Sequence, residues 1–155
     1  MLGKCVGVSL VLSTSFIGLS ARAEDWPRWR GPRGDGISTE VELGRSWPAK
    51  GLKKIWSAPA GEGFSSPVAV NGVVYLFHQH DGAEHLTALD AATGKVLWSE
   101  SDKGGWTGSY PGTRATPTIE GGVIYTFGGL GDLTARQLTT GARLWRLNVL
   151  QAVGA

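Results

Sequence analysis

The sequence predicts an all-β protein built from a repeated unit of short strands. One segment occurs twice, first from Ser66 to Trp98 and again from Thr116 to Trp145. The chain has 24 glycines among 155 residues, which is typical of a turn-rich β architecture. No stretch after the first 23 residues has the apolar spacing of an amphipathic helix. A segment that repeats at this period indicates modules that stack on one another.

The two copies match over most of their length. Their beginnings are 50 residues apart, as from Tyr75 to Tyr125, and their ends are 47 apart, as from Gly94 to Gly141. The three-residue difference therefore falls in one loop between Tyr75 and Leu89, where a β-repeat tolerates a change of length.

Each copy reads as four strands separated by turn residues. In the first copy we expect strands near 67–70, 73–78, 86–90 and 96–99, and the second copy ends in a strand at 143–147. Asn71-Gly72 predicts a type I′ turn between the first two strands, because both central residues of that turn need φ > 0. A Thr-Gly pair, ending in Gly94 or Gly141, predicts another turn, and Asp90 is expected to accept backbone N–H groups there.

A strand-only unit of roughly 40–50 residues with a tryptophan in its last strand is typical of a β-propeller blade. We therefore predict a β-propeller of four-stranded antiparallel blades, about two of which are present, at about 64–100 and 114–147. Trp98 and Trp145 stand at the same place in each unit. That placement indicates packing between blades rather than stacking on a ligand.

Residues 1–23 read as a secretory signal peptide. Lys4 gives a positive start, residues 5–19 form an apolar core, and an A-x-A cleavage site ends at Ala23. The apolar run is short and interrupted by hydroxyl side chains, so no stable membrane anchor is expected after cleavage. The protein is expected to be periplasmic or secreted.

The charge and the cysteine content after Ala23 exclude several classes of function. Lys4 and Arg22 account for the excess of 15 basic over 13 acidic residues, so residues 24–155 carry no net charge. No electrostatic footprint for nucleic acid remains, and no such partner is expected. The single cysteine, Cys5, lies in the signal segment, which excludes disulfides and thiolate chemistry from the rest of this sequence.

Two blades cannot close a propeller ring, which typically contains four to eight. We expect an extended arm at 24–50 and a partial propeller at 51–155. A strand ending at Trp56 would complete the last blade of a closed ring. We interpret the sequence as the N-terminal fragment of a longer propeller; the alternative is a short chain that closes its ring by oligomerising.

The segment from Ala88 to Trp98, ALDAATGKVLW, resembles the tryptophan-docking repeat of the PQQ-like β-propellers (PQQ, pyrroloquinoline quinone). That superfamily includes quinoprotein alcohol dehydrogenases and the propeller lipoprotein of outer-membrane β-barrel assembly. Residues 26–32 and 112–117 further resemble secreted PQQ-like repeat proteins of environmental bacteria. The second repeat departs from the pattern, because Gln137 stands in place of the capping Asp.

The resemblance implies several functions. A quinoprotein dehydrogenase would bind PQQ beside a calcium ion held by side-chain oxygens, with a catalytic Asp and typically a disulfide of adjacent cysteines. No residue of this sequence matches that set, so we assign no catalytic residue, and PQQ with calcium rests on the resemblance alone. We expect a non-catalytic scaffold for proteins or cell-envelope components. One alternative is a PQQ-dependent oxidoreductase whose catalytic residues lie in missing blades, and a second is a polysaccharide-binding propeller. The acidic pair Glu100 and Asp102 is expected in an exposed turn.

The histidines form one candidate site. Asp81-Gly82 lies between two strand-like runs and predicts a tight hairpin, which would place His78 opposite His85 with Cβ atoms roughly 5 Å apart. His80 falls on the same side by strand alternation. Three imidazoles so close together could bind a transition metal. The alternative is a polar hairpin tip in solvent, with one histidine packed between blades.

The loops that cross from one blade to the next form a second candidate site, on the same face as the hairpin. Aromatic side chains with an arginine are enriched at binding sites. The candidates are Glu62 and Phe64 in the first crossing loop and Trp106, Tyr110 and Arg114 in the second. Arg114 just precedes an inner strand and could contact an anion or a carboxylate. For Trp106, covering the blade junction is the alternative.

Overall fold

The computed structural model describes residues 23–41, 44 and 46–154. Within them the chain is all-β and forms two four-stranded antiparallel sheets, as the repeat predicts. The predicted signal peptide lies outside the described residues, apart from Ala23. Among the helices of the described part, none is long and apolar enough to cross a membrane.

Strand order follows the chain in both sheets. The first blade comprises β1 (Val68–Val70), β2 (Val73–His80), β3 (Ala83–Asp90) and β4 (Val96–Lys103). The second comprises β5 (Thr118–Glu120), β6 (Val123–Phe127), β7 (Asp132–Gln137) and β8 (Arg143–Asn148). A single-turn helix, α1 (Val149–Ala152), follows β8 and was not predicted. The strands of the first blade run further than the pattern indicated, because β2 and β3 continue to the hairpin tip and β4 continues to Lys103.

The hydrophobic core lies between the two sheets. Strand alternation points the large apolar residues of β2 and β3 toward the second blade, which covers them with the opposite face of its own sheet. The buried residues of this core are Val68, Tyr75, Phe77, Leu86 and Ala88 from the first blade and Ile119, Ile124 and Leu138 from the second. Burial of each large apolar side chain stabilises the fold by about 1.5–3 kcal/mol. This packing holds the blades together.

A tryptophan from the preceding segment fills each Thr-Gly turn. The indole of Trp98 lies against Gly141, and the indole of Trp56 lies against Gly94. Trp56 also donates a hydrogen bond from Nε1 to the carbonyl of Ala91, at 2.9 Å. A Cβ at Gly94 or Gly141 would lie 2.6 or 2.7 Å from the ring, and both residues have φ above 70°. Glycine is the residue that fits there.

Trp145 holds the corresponding position in the second blade but packs only within its own sheet. Its ring centroid lies 6.1 Å from that of Tyr125, and the residue is 45% exposed. The described residues contain no third turn to receive it. The packing role expected for this residue between blades therefore stays a prediction.

The two Thr-Gly turns are capped differently, as the departure at Gln137 indicated. Asp90 Oδ1 accepts from both the backbone nitrogen and the hydroxyl of Thr93, at 2.8 and 2.7 Å. Gln137 Oε1 accepts from the hydroxyl of Thr140, at 2.8 Å, and makes no corresponding backbone contact among the described residues. The second turn thus has one capping hydrogen bond fewer than the first.

The N-terminal arm ties the inner edges of both sheets together. Trp26 and Ala69 exchange two backbone hydrogen bonds, at 2.6 and 3.0 Å, beside β1. The amide of Ile119 in β5 donates to the carbonyl of Pro27, at 2.8 Å. The unpaired edges of two inner strands are therefore covered by one short segment, which removes sites for edge-to-edge association.

An ion pair braces the arm itself. Arg33 donates to the two carboxylate oxygens of Glu24, at 2.7 and 3.3 Å, and the amide of Thr39 donates to the same carboxylate at 3.1 Å. The Arg33 hydrogen bond, followed by that of Thr39, lowers the pKa of Glu24 to about 2. The carboxylate of Glu24 therefore stays ionised well below neutral pH.

A buried arginine on β7 joins the third strand of the second blade to the outer strand, β4, of the first. Arg136 is 3% exposed and donates to Asp102 Oδ2 at 2.7 Å, to Glu100 Oε2 at 3.4 Å and to the carbonyl of Gly141 at 3.0 Å. The expectation that Glu100 and Asp102 lie in an exposed turn is wrong. Both stand on β4, which continues to Lys103, and both side chains face the second blade.

Candidate functional site

The crossing loops and the histidine hairpin lie on one face of the structure, as expected. Glu62 and Gln79 exchange two backbone hydrogen bonds, at 2.7 and 2.8 Å, so the first crossing loop is tied to the end of β2. The amide of Phe64 donates to the carbonyl of Thr113, at 2.6 Å, which ties the two crossing loops together. We call this surface the loop face; it is formed by residues 60–65, 81–82 and 104–117.

Two hollows open on the loop face, and the predicted binding residues do not all line the same one. The first, of about 310 Å³, is lined by Trp29, Phe64, Arg114 and Thr116. The second, of about 600 Å³, has Glu62, Gln79, His80 and Asp81 among its lining residues. Phe64 and Arg114 therefore share a site, and Glu62 belongs to another. Sequence reasoning missed Trp29, because the arm gave no sign that it reaches this face.

The guanidinium of Arg114 is held in place by the loop around it. Its Nη2 donates to the carbonyls of Ser109 and Tyr110, at 3.0 and 2.8 Å. Its Cζ lies 5.8 Å from the ring centroid of Trp106, within the range of a cation–π contact. Within the described residues Arg114 pairs with no carboxylate. Its other N–H groups are suited to an anionic ligand.

The aromatic residues of the loop face have different surroundings. Phe64 and Tyr110 are 60% and 74% exposed and meet edge to face, with centroids 6.2 Å apart and ring planes at 75°. Trp106 is more enclosed, since its indole donates to the carbonyl of Ser109 at 3.2 Å and its Cβ faces Gly129 of the second blade. Trp106 thus covers the blade junction, and Phe64 and Tyr110 present free aromatic surface.

The hairpin brings the three histidines together in the predicted register, with His78 opposite His85. Their rings are stacked at 5.4 Å with 15° between the planes, and the ring of His80 lies 6.3 Å from that of His85. His78 Nδ1 accepts from the amide of Gly61, at 3.2 Å, and its Nε2 lies 3.4 Å from the hydroxyl of Thr87. Burial lowers the pKa of His78, and the neighbouring histidines lower it further.

The three histidines are not arranged as ligands of one metal ion in the structure, so the metal site at His78, His80 and His85 stays a prediction. Stacked imidazoles direct their in-plane lone pairs side by side, whereas metal ligands must converge on one point. No three His, Cys, Asp or Glu side chains in the part of the chain that the structure describes are placed to hold a metal ion. The imidazole nitrogens of these histidines also do not fit the calcium ion of the PQQ site that the family resemblance implies, because calcium takes oxygen ligands.

Two buried polar residues beneath the loop face escaped the sequence analysis. Gln79 is 2% exposed; its Nε2 donates to the carbonyl of Trp106 at 3.1 Å, and its Oε1 has no hydrogen-bond partner among the described residues. Glu84 lies opposite Gln79 and accepts from the amide of Gly129 at 2.7 Å, and burial raises the pKa of Glu84. Strand alternation from Tyr75 places Gln79 on the core-facing side, which was the available signal.

These polar residues position the loops. Gln79 holds the second crossing loop through the backbone of Trp106, and Glu84 holds the loop between β6 and β7 through the backbone of Gly129. Buried polar groups that are hydrogen-bonded to backbone fix one arrangement of the elements that they join. The loop face is therefore anchored to both blades.

Comparison with known proteins gives one family and several similar structures. A family model described as outer membrane protein assembly factor BamB matches residues 46–155. The structure of BamB from Moraxella catarrhalis is 23% identical, with a TM-score of 0.39, over 58% of this chain and 23% of that chain. No curated protein matches the sequence.

Two dehydrogenase structures are also similar. A europium-containing methanol dehydrogenase is 18% identical, with a TM-score of 0.45, over 58% of this chain and 16% of that chain. A quinohemoprotein alcohol dehydrogenase from Comamonas testosteroni is 20% identical, with a TM-score of 0.44, over 59% of this chain and 14% of that chain. The chain spans less than a quarter of the length of each of these three structures.

Proposed function

The chain belongs to the family of the outer membrane protein assembly factor BamB, the PQQ-like β-propellers, and on that premise we propose that it is part of a non-catalytic binding scaffold. The loop face would bind a protein or another component of the cell envelope. The observation that supports this proposal is the exposed aromatic surface of Phe64 and Tyr110 beside the held guanidinium of Arg114. Exposed aromatics with an arginine are enriched at binding sites.

Export supports a role in the envelope. The charged start, apolar core and cleavage site of residues 1–23 are those of a secretory signal peptide. The proposed location is the periplasm or the outside of the cell.

The roles of Glu84 and His78, whose pKa values are shifted chiefly by burial, support a non-catalytic function. Active sites gather such groups in a cleft. Here Glu84 is bonded to the backbone of the second blade, and His78 is stacked on His85 at a strand pair. Neither lines the hollow of Phe64 and Arg114.

Co-sedimentation with isolated envelope fractions of a Gram-negative bacterium tests the scaffold. Replacing Phe64 and Tyr110 by serine removes the exposed aromatic surface, so binding is expected to weaken about tenfold or more. Trp47→Ser is the matched control, because Trp47 is 70% exposed and lies outside the loop face. Equal binding by the double variant, the control and the unaltered protein would overturn the proposal.

A specific observation favours the polysaccharide-binding alternative over the PQQ-dependent oxidoreductase. Trp29, which is 62% exposed, lines the same hollow as Phe64, and Phe64 in turn contacts Tyr110. Aromatic faces pack against the C–H groups of sugar rings, because the face of the ring is negative and those hydrogens are positive. No observation on the described residues favours a bound quinone. An increase in melting temperature on titration with PQQ and calcium would support the oxidoreductase hypothesis instead.

A further inference from the structure

Three segments that are distant in sequence meet at the hollow of Arg114. The arm supplies Trp29, the first crossing loop supplies Phe64, and the approach to β5 supplies Arg114 and Thr116. The hydroxyl of Thr116 accepts from the amide of Ser66, at 3.2 Å, so this wall is part of the framework between the two inner strands. The hollow is therefore built by the fold and does not belong to one loop.

The guanidinium of Arg114 in this hollow is held in position before any ligand binds. Two carbonyls fix one nitrogen of the Arg114 guanidinium, and Trp106 supports its plane. Tyr110 supplies one of those carbonyls with a backbone φ of 57°, in the left-handed region that non-glycine residues rarely occupy. A guanidinium that is held but not neutralised loses little freedom when it binds a carboxylate, and the N–H groups of its Nη1 and Nε are left to donate to the carboxylate oxygens.

The surroundings of the guanidinium favour a ring-shaped ligand. Trp29 and Phe64 line the same hollow as Arg114 and leave much of their aromatic surface free. A ligand with a carboxylate and an adjacent ring that carries C–H groups would use both features at once.

An extended peptide is a poorer fit at this place. Peptides that bind beside a sheet add a strand to an unpaired edge. Here the arm already pairs with β1 through Trp26 and Ala69, and it accepts the amide of Ile119 in β5. The edges of β1 and β5, which are nearest to the hollow, are thus already hydrogen-bonded to the arm.

We propose that the hollow of Trp29, Phe64 and Arg114 binds a carboxylate-bearing sugar, such as one residue of an acidic polysaccharide. The carboxylate lies on Arg114, and the sugar ring packs against Trp29 and Phe64. This proposal rests on the proposed binding function of the loop face and names the class of ligand for it.

Calorimetric titration with oligogalacturonate and with its methyl ester tests the proposal. The ester keeps the sugar ring and removes the charge, so it is expected to bind at least about tenfold more weakly than the acid. Acetate, a carboxylate without a ring, is expected to compete at least about tenfold more weakly than the acid. This comparison uses the unaltered protein and does not depend on whether a variant folds.

Variants then locate the site. Arg114→Gln and Trp29→Ser are each expected to weaken binding of the acid about tenfold or more. Arg28→Gln is the matched control, since it removes one exposed positive charge from the neighbouring position in the arm. The control is expected to bind within about twofold of the unaltered protein.

The proposal is overturned if the acid and the ester bind equally, if oligogalacturonate does not bind, or if Arg28→Gln weakens binding as much as Arg114→Gln. Failure here is distinguishable from failure of the scaffold. If envelope fractions still bind through Phe64 and Tyr110 when the acidic sugar does not bind, the scaffold stands and the ligand class is wrong.

Discussion

The indole of Trp98 in the first blade lies against Gly141 in the second, where a Cβ would come within 2.7 Å of the ring. This contact joins the outer strand of one blade to a turn of the next, and Trp56 with Gly94 repeats it one blade earlier. The same pair of residue types thus acts at two successive junctions.

We expect Gly141→Ala to destabilise the protein by about 2–5 kcal/mol. The left-handed backbone of Gly141 costs an alanine about 1–2 kcal/mol, and the clash with Trp98 adds about 1–3 kcal/mol. Urea unfolding measures the change. Gly72→Ala is the matched control, because its φ of 75° is nearly the same and nothing lies within 4 Å of its Cβ position. Equal losses for the two variants would show that the ring contact contributes nothing.

The buried guanidinium of Arg136 gives a second prediction. Arg136→Leu leaves the carboxylate of Asp102 with only its more exposed partners, Arg143 and Arg146, so a loss of about 2–4 kcal/mol is expected. Leu89 holds the corresponding place in the first blade, so leucine suits the site sterically. Adding Asp102→Asn should cost less in the Arg136→Leu background than in the unaltered protein. A double-mutant cycle measured by chemical unfolding gives the coupling, and strict additivity would contradict it.

The histidine stack predicts a stability that falls on acidification. The folded protein holds the pKa of His78 below the ordinary value of 6.5, because burial and the nearby His85 and His80 disfavour its charge. The unfolded chain then binds more protons in the window just below 6.5. The contribution of neutral His78 to the free energy of unfolding is fully present above pH 6.5. It is lost as the pH falls from 6.5 toward the lower pKa of His78 in the folded protein.

His78→Gln should therefore flatten the dependence of the melting temperature on pH across this window. Thermal melts at a series of pH values from about 8 to about 5 measure it. His80→Gln serves for comparison, since the His80 side chain is 68% exposed. A profile for His78→Gln as steep as that of the unaltered protein would show that another group is responsible.

The arm gives a prediction for hydrogen exchange. Trp26→Ala removes the ring that covers Gly31, so the arm should detach more often from the inner strands. The amides of Ala69 and Ile119 donate to the arm and should exchange faster, by about tenfold or more. The amide of Tyr75, within the β1–β2–β3 sheet, should keep its rate. Uniform acceleration of all three amides would point to global destabilisation instead.

The architecture was predictable from the sequence because its signals are local. Turn chemistry at Asn71-Gly72 and Asp81-Gly82 determines the hairpin registers, and the spacing of Trp98 and Trp145 gives the unit. The weaker cap at Gln137 could also be read directly from the missing carboxylate.

The candidate site was less predictable, because it depends on contacts between distant segments. Phe64, Tyr110 and Arg114 were found, but nothing near Trp29 in the sequence indicates that it reaches Phe64 and Arg114. The three histidines were placed correctly by register, but the stacking of His78 on His85 was not predicted, because ring orientation does not follow from Cβ spacing. Arg136 was missed since the repeat has leucine at the matching position, Leu89, so a buried cation was not expected there.

The tryptophan contacts also bear on how the protein folds. Because Trp56 completes the turn at Gly94 and Trp98 completes the turn at Gly141, each turn is finished by a residue that lies outside its own sheet. The cooperative unit of folding therefore does not coincide with one four-stranded sheet. It includes the tryptophan that precedes each sheet along the chain and so spans the boundary between two blades. Nearest-neighbour coupling of this kind favours propagation of order from one junction to the next over independent folding of single sheets.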